Sequence, residues 1–188
     1  LLPMFSCPPP VLPPSAAAFL RATGFEAAPG DTRVYPGADG AILGAVVGLG
    51  TATARARGRF MLARAAGALP AGNWRLEGLA DLGERAEAAL GWLLQSYRFQ
   101  RYRKSPAKPV PLLVPPEGTD PARLLAIAEG EFLTRDLINT PASDMGPEEL
   151  EAAAAALAAQ FGAAITVTAG ADLLAQNLPM IHAVGRAS

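Results

Sequence analysis

Glycine and proline punctuate this chain, and the apolar segments between them set what it can fold into. The 188 residues include 19 glycines and 18 prolines. They fall between periodic apolar stretches, so they mark element ends and not disorder. Pro8, Pro9, Pro10, Pro13 and Pro14 keep residues 7 to 14 extended, and Ser15 offers an N-cap for a short helix through Leu20 that Gly24 ends. Val34 and Tyr35 predict a brief extended piece, Pro36 to Gly40 a turn, and Ala41 to Leu49 the strongest strand, which together make a hairpin. The Ala41–Leu49 run is the most apolar in the chain, yet it is short and broken by glycine. It reads as a buried strand, and no run of about 18 apolar residues exists to cross a membrane.

Thr53 to Leu69, rich in alanine and arginine, predicts a helix closed by Pro70 and Gly72, and Trp74 to Leu76 a strand after it. Asp81 opens the clearest helix. Leu82, Ala86, Ala89, Leu90, Leu93 and Tyr97 share one face, Glu84, Glu87, Gln95 and Arg98 lie opposite, and Asp81 with Glu84 resembles a capping box. Five prolines between Ser105 and Pro116 limit Val110–Val114 to a short or edge strand. Asp120 as N-cap and Pro121 at the first helical position then start a helix whose apolar residues, from Leu124 to Ile138, spread around most of its circumference. Such a helix is covered on several sides, and the domain boundary is placed at its start. Asn139-Thr140-Pro141 ends it. A helix from Pro147 to about Phe161, a strand at Ile165–Thr168, a short helix from Ala171 to Gln176 and a strand at Met180–Val184 follow. That alternation argues for an α/β layered fold with a parallel component, incomplete as it stands because a parallel sheet needs more strands and helices on both faces.

A chain that is 51% hydrophobic and 18% charged is globular, and a net charge of −1 with a pI near 5.9 supplies no global field for nucleic acid or an anionic membrane. The single cysteine, Cys7, cannot form an internal disulfide, which is consistent with a reducing, cytoplasmic compartment. The N-terminus has no basic region or cleavage site of an export signal. It also begins without methionine, as a piece of a longer polypeptide would.

Three segments carry a resemblance. Ala89 to Lys104 (ALGWLLQSYRFQRYRK) is similar to a "G-W-x-L-G-x-Y-R-F-x-R-Y-K" stretch, and Thr134 to Pro147 (TRDLINTPASDMGP) to an "A-R-D-L-x-N-T-P-A-N-x-x-T-P" junction. Pro179 to Ser188 (PMIHAVGRAS) is similar to "G-M-x-x-x-x-V-G-x-G-S". These are patterns of the leucyl aminopeptidase family, in a bacterial branch, and the resemblance spans roughly residues 60 to 188. Ser143 stands for the second asparagine, Gly146 for a threonine N-cap, Pro179 for a glycine and Ala187 for another. Losing a threonine cap to glycine costs only a few tenths of a kcal/mol, roughly.

The resemblance implies an N-terminal α/β, macro-like accessory domain (residues 1–119), a linking helix (120–141) and the first β/α elements of a C-terminal peptidase domain (142–188). It further implies a cytoplasmic homo-hexamer that removes N-terminal residues from peptides using two divalent metal ions, manganese or zinc. In the family, carboxylates and a lysine hold the metals, and a further lysine and arginine assist. Two metals suit the reaction because one can bind the free amino terminus while both activate a bridging water. All the residues with those roles fall beyond the position matching Ser188. The expectation is that this chain has no catalytic, cofactor-binding or metal-binding residues, binds no metal, and is inactive alone.

The residues agree. His182 is the only histidine, which excludes a multi-histidine metal site, and mid-strand it is expected to be packed or hydrogen-bonded. Cys7 is expected to be inert. Asp81, Asp120, Glu148 and Glu149 sit at helix starts, where they complement the dipole, and Glu131 and Arg135 are spaced as an i,i+4 pair. Asp136 and Asp144 flank the Asn-Thr-Pro turn and could order a domain junction. The glycines from Gly37 to Gly50 lack the lysine and hydroxyl of a phosphate loop. The rival reading is a stand-alone binding or assembly module without catalysis. Its sharpest form is nucleic-acid binding through Tyr97–Lys104, where aromatics alternate with cations, extended by Arg55, Arg57, Arg59 and Arg64.

Overall fold

The computed structural model describes residues 2–6, 12–56, 58–103, 106 and 109–186. Cys7, Pro8 to Pro10, Arg57, Lys104, Ser105 and Ser188 lie outside the described residues. The chain forms two compact units, Leu1–Phe132 and Leu133–Ser188.

The first unit opens with strand β1 (Leu2–Ser6) and helix α1 (Pro14–Ala22). Its N-cap is Pro13 and not Ser15, because Pro14 takes a first-turn position where its missing N–H costs nothing. The helix ends as expected at Gly24, which adopts a left-handed φ of 63°. Strands β2 (Thr32–Pro36) and β3 (Ile42–Val47) form the hairpin, antiparallel with Val34 opposite Ala45. Asp39 closes its turn by accepting from the Ala41 N–H at 3.0 Å.

The single helix expected over Thr53–Leu69 is in fact two short ones, α2 (Ala52–Ala56) and α3 (Ala63–Ala68). Between them Phe60 holds a φ of 56°, which an α-helix does not permit. A tertiary contact outweighs local propensity there: the Phe60 N–H donates to Glu87 Oε1 at 3.0 Å.

Strand β4 (Gly72–Glu77), helix α4 (Leu82–Gln95) and strand β5 (Pro111–Leu113) complete the sheet, and helix α5 (Pro121–Asn139) follows. Asp81 caps α4 by accepting from the Glu84 N–H at 2.9 Å, and Asp120 accepts from the Arg123 N–H at 3.1 Å. Asp81→Ala should therefore cost about 1 kcal/mol, read as a shifted urea midpoint with an unchanged slope.

The five strands run in the order β2-β3-β1-β4-β5. Central β1 is parallel to both β3 and β4, β5 is parallel to β4, and only β2 is antiparallel to its neighbour. Strand β5 is the edge strand that its prolines allow. Alternation along β3 sends side chains to both faces. Ala45 and Val47 join Leu62, Ala65, Leu69, Trp74, Ala88 and Trp92 in one core cluster, while Val46 joins Ala16, Leu20 and Tyr35 in the other. The sheet is thus covered by α3 and α4 on one side and by α1 on the other.

The buried face of α4 is not the one expected from leucine spacing. Ala88, Ala89, Gly91 and Trp92 are buried, while Leu82 is 48% exposed. Small residues let the helix approach closely, for a Cβ at Gly91 would sit 3.2 Å from Phe60 Cβ. Trp92 fills the remaining space and donates its indole N–H to the Pro111 carbonyl at 3.2 Å.

Tyr35 is 1% exposed. Burial, and to a lesser degree the charge of Glu77, raises its hydroxyl pKa above the ordinary 10.0. The folded state therefore binds this proton more tightly than the unfolded chain, so the contribution is complete below pH 10.0 and is lost as pH rises through the folded value. Urea titrations on either side of that pH should show stability falling with alkalinity, and Tyr35→Phe should flatten the fall.

The second unit holds α6 (Pro147–Phe161), α7 (Asp172–Ala175) and α8 (Pro179–Gly185). Glu149 accepts from the Gly146 N–H at 2.9 Å, and Gly162 ends α6 with a φ of 63°. Neither expected strand forms. Residues 165–168 are irregular, with Ile165 47% and Val167 46% exposed, and Met180–Val184 lies within α8. A strand is stabilised by its neighbours' ladder, and none of the described strands lies in this unit. Pro179 at the first turn instead favours a helix there. His182 accordingly sits in the last turn of α8, half-buried, and not mid-strand.

Candidate functional site

A concavity of about 370 Å³ in the first unit lies beyond the carboxyl ends of β3 and β4. Leu49 enters it two residues after β3 and Leu79 two residues after β4. Those strands flank β1, so the chain leaves β1 toward one side for β3 and crosses to the other for β4. That reversal makes a topological switch point, where open α/β sheets leave a crevice.

The α2–α3 connection forms one wall and the first turns of α4 the other. A single carboxylate joins them. Glu87 Oε2 accepts from Arg59 Nε at 3.2 Å and Nη2 at 3.1 Å, while Oε1 takes the Phe60 N–H. The Arg59 guanidinium also lies 5.1 Å from the Phe60 ring centre. Leu62 and Ala88 supply a buried apolar floor. By sequence alone Glu87 lies on the face of α4 opposite its apolar residues and Arg59 in a basic extension. Gly58 was the only local hint of the break that brings them together.

Of the Tyr97–Lys104 segment, Tyr97, Arg98, Phe99 and Tyr102 have partners within the chain. Tyr97 packs on Phe132 with ring centres 5.4 Å apart, Phe99 meets Tyr102 edge-on at 5.9 Å, and Arg98 donates to the Gln95 and Tyr97 carbonyls. Of the arginines expected to extend it, Arg55 donates to the Gly50 carbonyl at 3.1 Å, Arg59 binds Glu87, and Arg64 packs along Gly30.

At the junction, Thr140 is the buried polar residue, and its hydroxyl donates to the Asp136 carbonyl at 2.7 Å. The Asp144 N–H donates to the Pro141 carbonyl at 2.9 Å. Asp136 and Asp144 thus bracket a closed turn through their backbones. No group of three or more histidine, cysteine, aspartate or glutamate side chains among the described residues is arranged to hold a metal ion. No described helix is long and apolar enough to cross a membrane.

Residues 12–115 match the M17 aminopeptidase N-terminal domain, and residues 132–188 match the catalytic domain of the cytosol aminopeptidase family. The chain belongs to the cytosol aminopeptidase family. Among relatives of this family, a probable cytosol aminopeptidase of Roseiflexus castenholzii is 40% identical over 111 residues, 52% of this chain and 22% of that protein. One of Dinoroseobacter shibae is 35% identical over 115 residues, 58% of this chain and 23% of that protein. The matched region therefore spans under a quarter of these curated relatives. The solved cytosol aminopeptidase of Coxiella burnetii superposes with a TM-score of 0.79 at 26% identity, covering 92% of this chain and 38% of that one. The bottromycin maturation enzyme BotP, in complex with Mn, superposes at 0.67 with 30% identity, covering 92% and 39%. The mixed α/β architecture described above is that of the N-terminal part of cytosol aminopeptidases.

Proposed function

We propose that this chain is the accessory domain, linking helix and opening of the catalytic domain of a metal-dependent aminopeptidase that releases N-terminal residues from peptides. One observation carries the reading: a single chain matches the family's N-terminal domain and then its catalytic domain, in order, at residues 12–115 and 132–188. Residues 1–119 form the accessory part, 120–141 the link and 142–188 the catalytic opening in this reading. The continuous course of α5 from Pro121 to Asn139 supports a link of that kind.

The parent enzyme works with two divalent ions, manganese or zinc, and assembles as a cytoplasmic hexamer. The manganese complex of BotP supports the metal. In this reading no catalytic step is assigned to the described residues, and the chain alone is inactive.

The test uses the gene product extended through a whole catalytic domain. With Mn²⁺ and leucine p-nitroanilide it is expected to turn over, and chelation by EDTA should abolish the activity. An extended product that leaves the anilide intact with either metal would remove the reading.

A further inference from the structure

We propose that the pocket at the switch point binds an apolar amino acid or a short apolar peptide as its zwitterion. Among the described residues, four charged side chains line it, Arg55, Arg59, Glu84 and Glu87. Arg59 and Glu87 neutralise each other in a two-nitrogen pair. The remaining charges among the described lining residues are one of each sign. Arg55 spends one guanidinium nitrogen on the Gly50 carbonyl, and neither Arg55 nor Glu84 belongs to an ion pair among the described residues. A phosphate would meet Glu84 and Glu87 as well as the arginines, and a simple cation would meet Arg55. A ligand carrying both an ammonium and a carboxylate satisfies both walls.

The lining also includes apolar Leu49, Met61, Leu62, Leu79 and Ala88. A volume of about 370 Å³ lies within the usual range for small-molecule sites. The apolar side chain of the ligand takes this surface, its carboxylate goes to Arg55, and its ammonium goes to Glu84. Such a ligand is also the class of product that the proposed aminopeptidase releases. That link to peptide hydrolysis rests on the functional reading, whereas the pocket's chemistry does not.

The measurement is calorimetric titration of this chain with L-leucine, alongside leucinamide, which lacks the carboxylate, and 4-methylpentanoate, which lacks the amine. Saturable one-site binding of leucine is expected. Each analogue, and each of the exposed-residue variants Arg55→Gln and Glu84→Gln, should bind about tenfold more weakly, the loss of one charge-assisted contact. Circular dichroism of both variants should match the parent. Absence of leucine binding, binding that both variants retain, or inorganic phosphate competing with leucine would each overturn the proposal. Calorimetry needs no turnover, so failure here leaves the aminopeptidase reading standing, and failure of that reading leaves the binding result intact.

Discussion

Trp74→Ala is expected to destabilise the first unit by about 3–5 kcal/mol. Trp74 is 0% exposed on β4, in the core cluster that joins the sheet to α3 and α4. Its indole N–H donates to the Pro70 carbonyl at 3.1 Å. Truncation removes the largest of the fully buried side chains, opens a cavity among Leu62, Ala65 and Trp92, and strands that carbonyl. A typical domain has roughly 5–15 kcal/mol in all, so the loss approaches the unit's whole stability. Urea unfolding followed by tryptophan fluorescence checks it, with Trp92 as the remaining probe. A loss under about 1 kcal/mol would mean that this cluster is not a packed core. Trp74→Phe keeps most of the volume and is expected to cost less.

Gly48→Ala is the second large effect, and it acts through backbone contact. A Cβ at Gly48 would fall on the Ala28 carbonyl oxygen and the Ala27 carbonyl carbon, and within 2.6 Å of the Ala27 oxygen. These atoms cannot withdraw easily. The Gly30 N–H donates to the Gly48 carbonyl at 2.8 Å, the Gly48 N–H to the Asp31 carbonyl at 2.8 Å, and the Gly50 N–H to the Ala27 carbonyl at 3.0 Å. One methyl group therefore has to displace the loop that pins the end of β3, at a cost of about 3 kcal/mol or somewhat more. At Gly40, where nothing lies within 4 Å, the same change meets only an unfavourable φ of 80°. Its cost should be nearer 1 kcal/mol, roughly. Equal melting shifts for the two variants would contradict the close approach at Gly48.

These sites mark how far the sequence carries. Features set by a few neighbouring residues were legible: the Asp81 and Asp120 caps, the Pro36–Gly40 turn, the helix end at Gly24, and the proline-limited edge strand β5. Features set by distant partners were not. The break between α2 and α3 depends on Glu87 reaching Phe60 across 27 positions. The buried face of α4 depends on how closely glycine and alanine let it approach, which a count of leucines misses. Ile165–Thr168 and Met180–Val184 carry strand-forming residues, but strand propensity needs a neighbouring strand, and Pro179 starts a helix. The pocket was hidden for the same reason, since its walls come from residues 49–62 and 79–88. By contrast, the junction from Thr134 to Pro147 was readable because its sequence is contiguous.

On the proposed reading this chain supplies scaffold to an aminopeptidase and none of its chemistry. The direct measurement is hydrolysis of leucine p-nitroanilide by the 188-residue chain itself, purified and supplied with Mn²⁺. Release of p-nitroaniline is expected to be no faster than in buffer with the same metal. Chelator-sensitive turnover by this chain would contradict it.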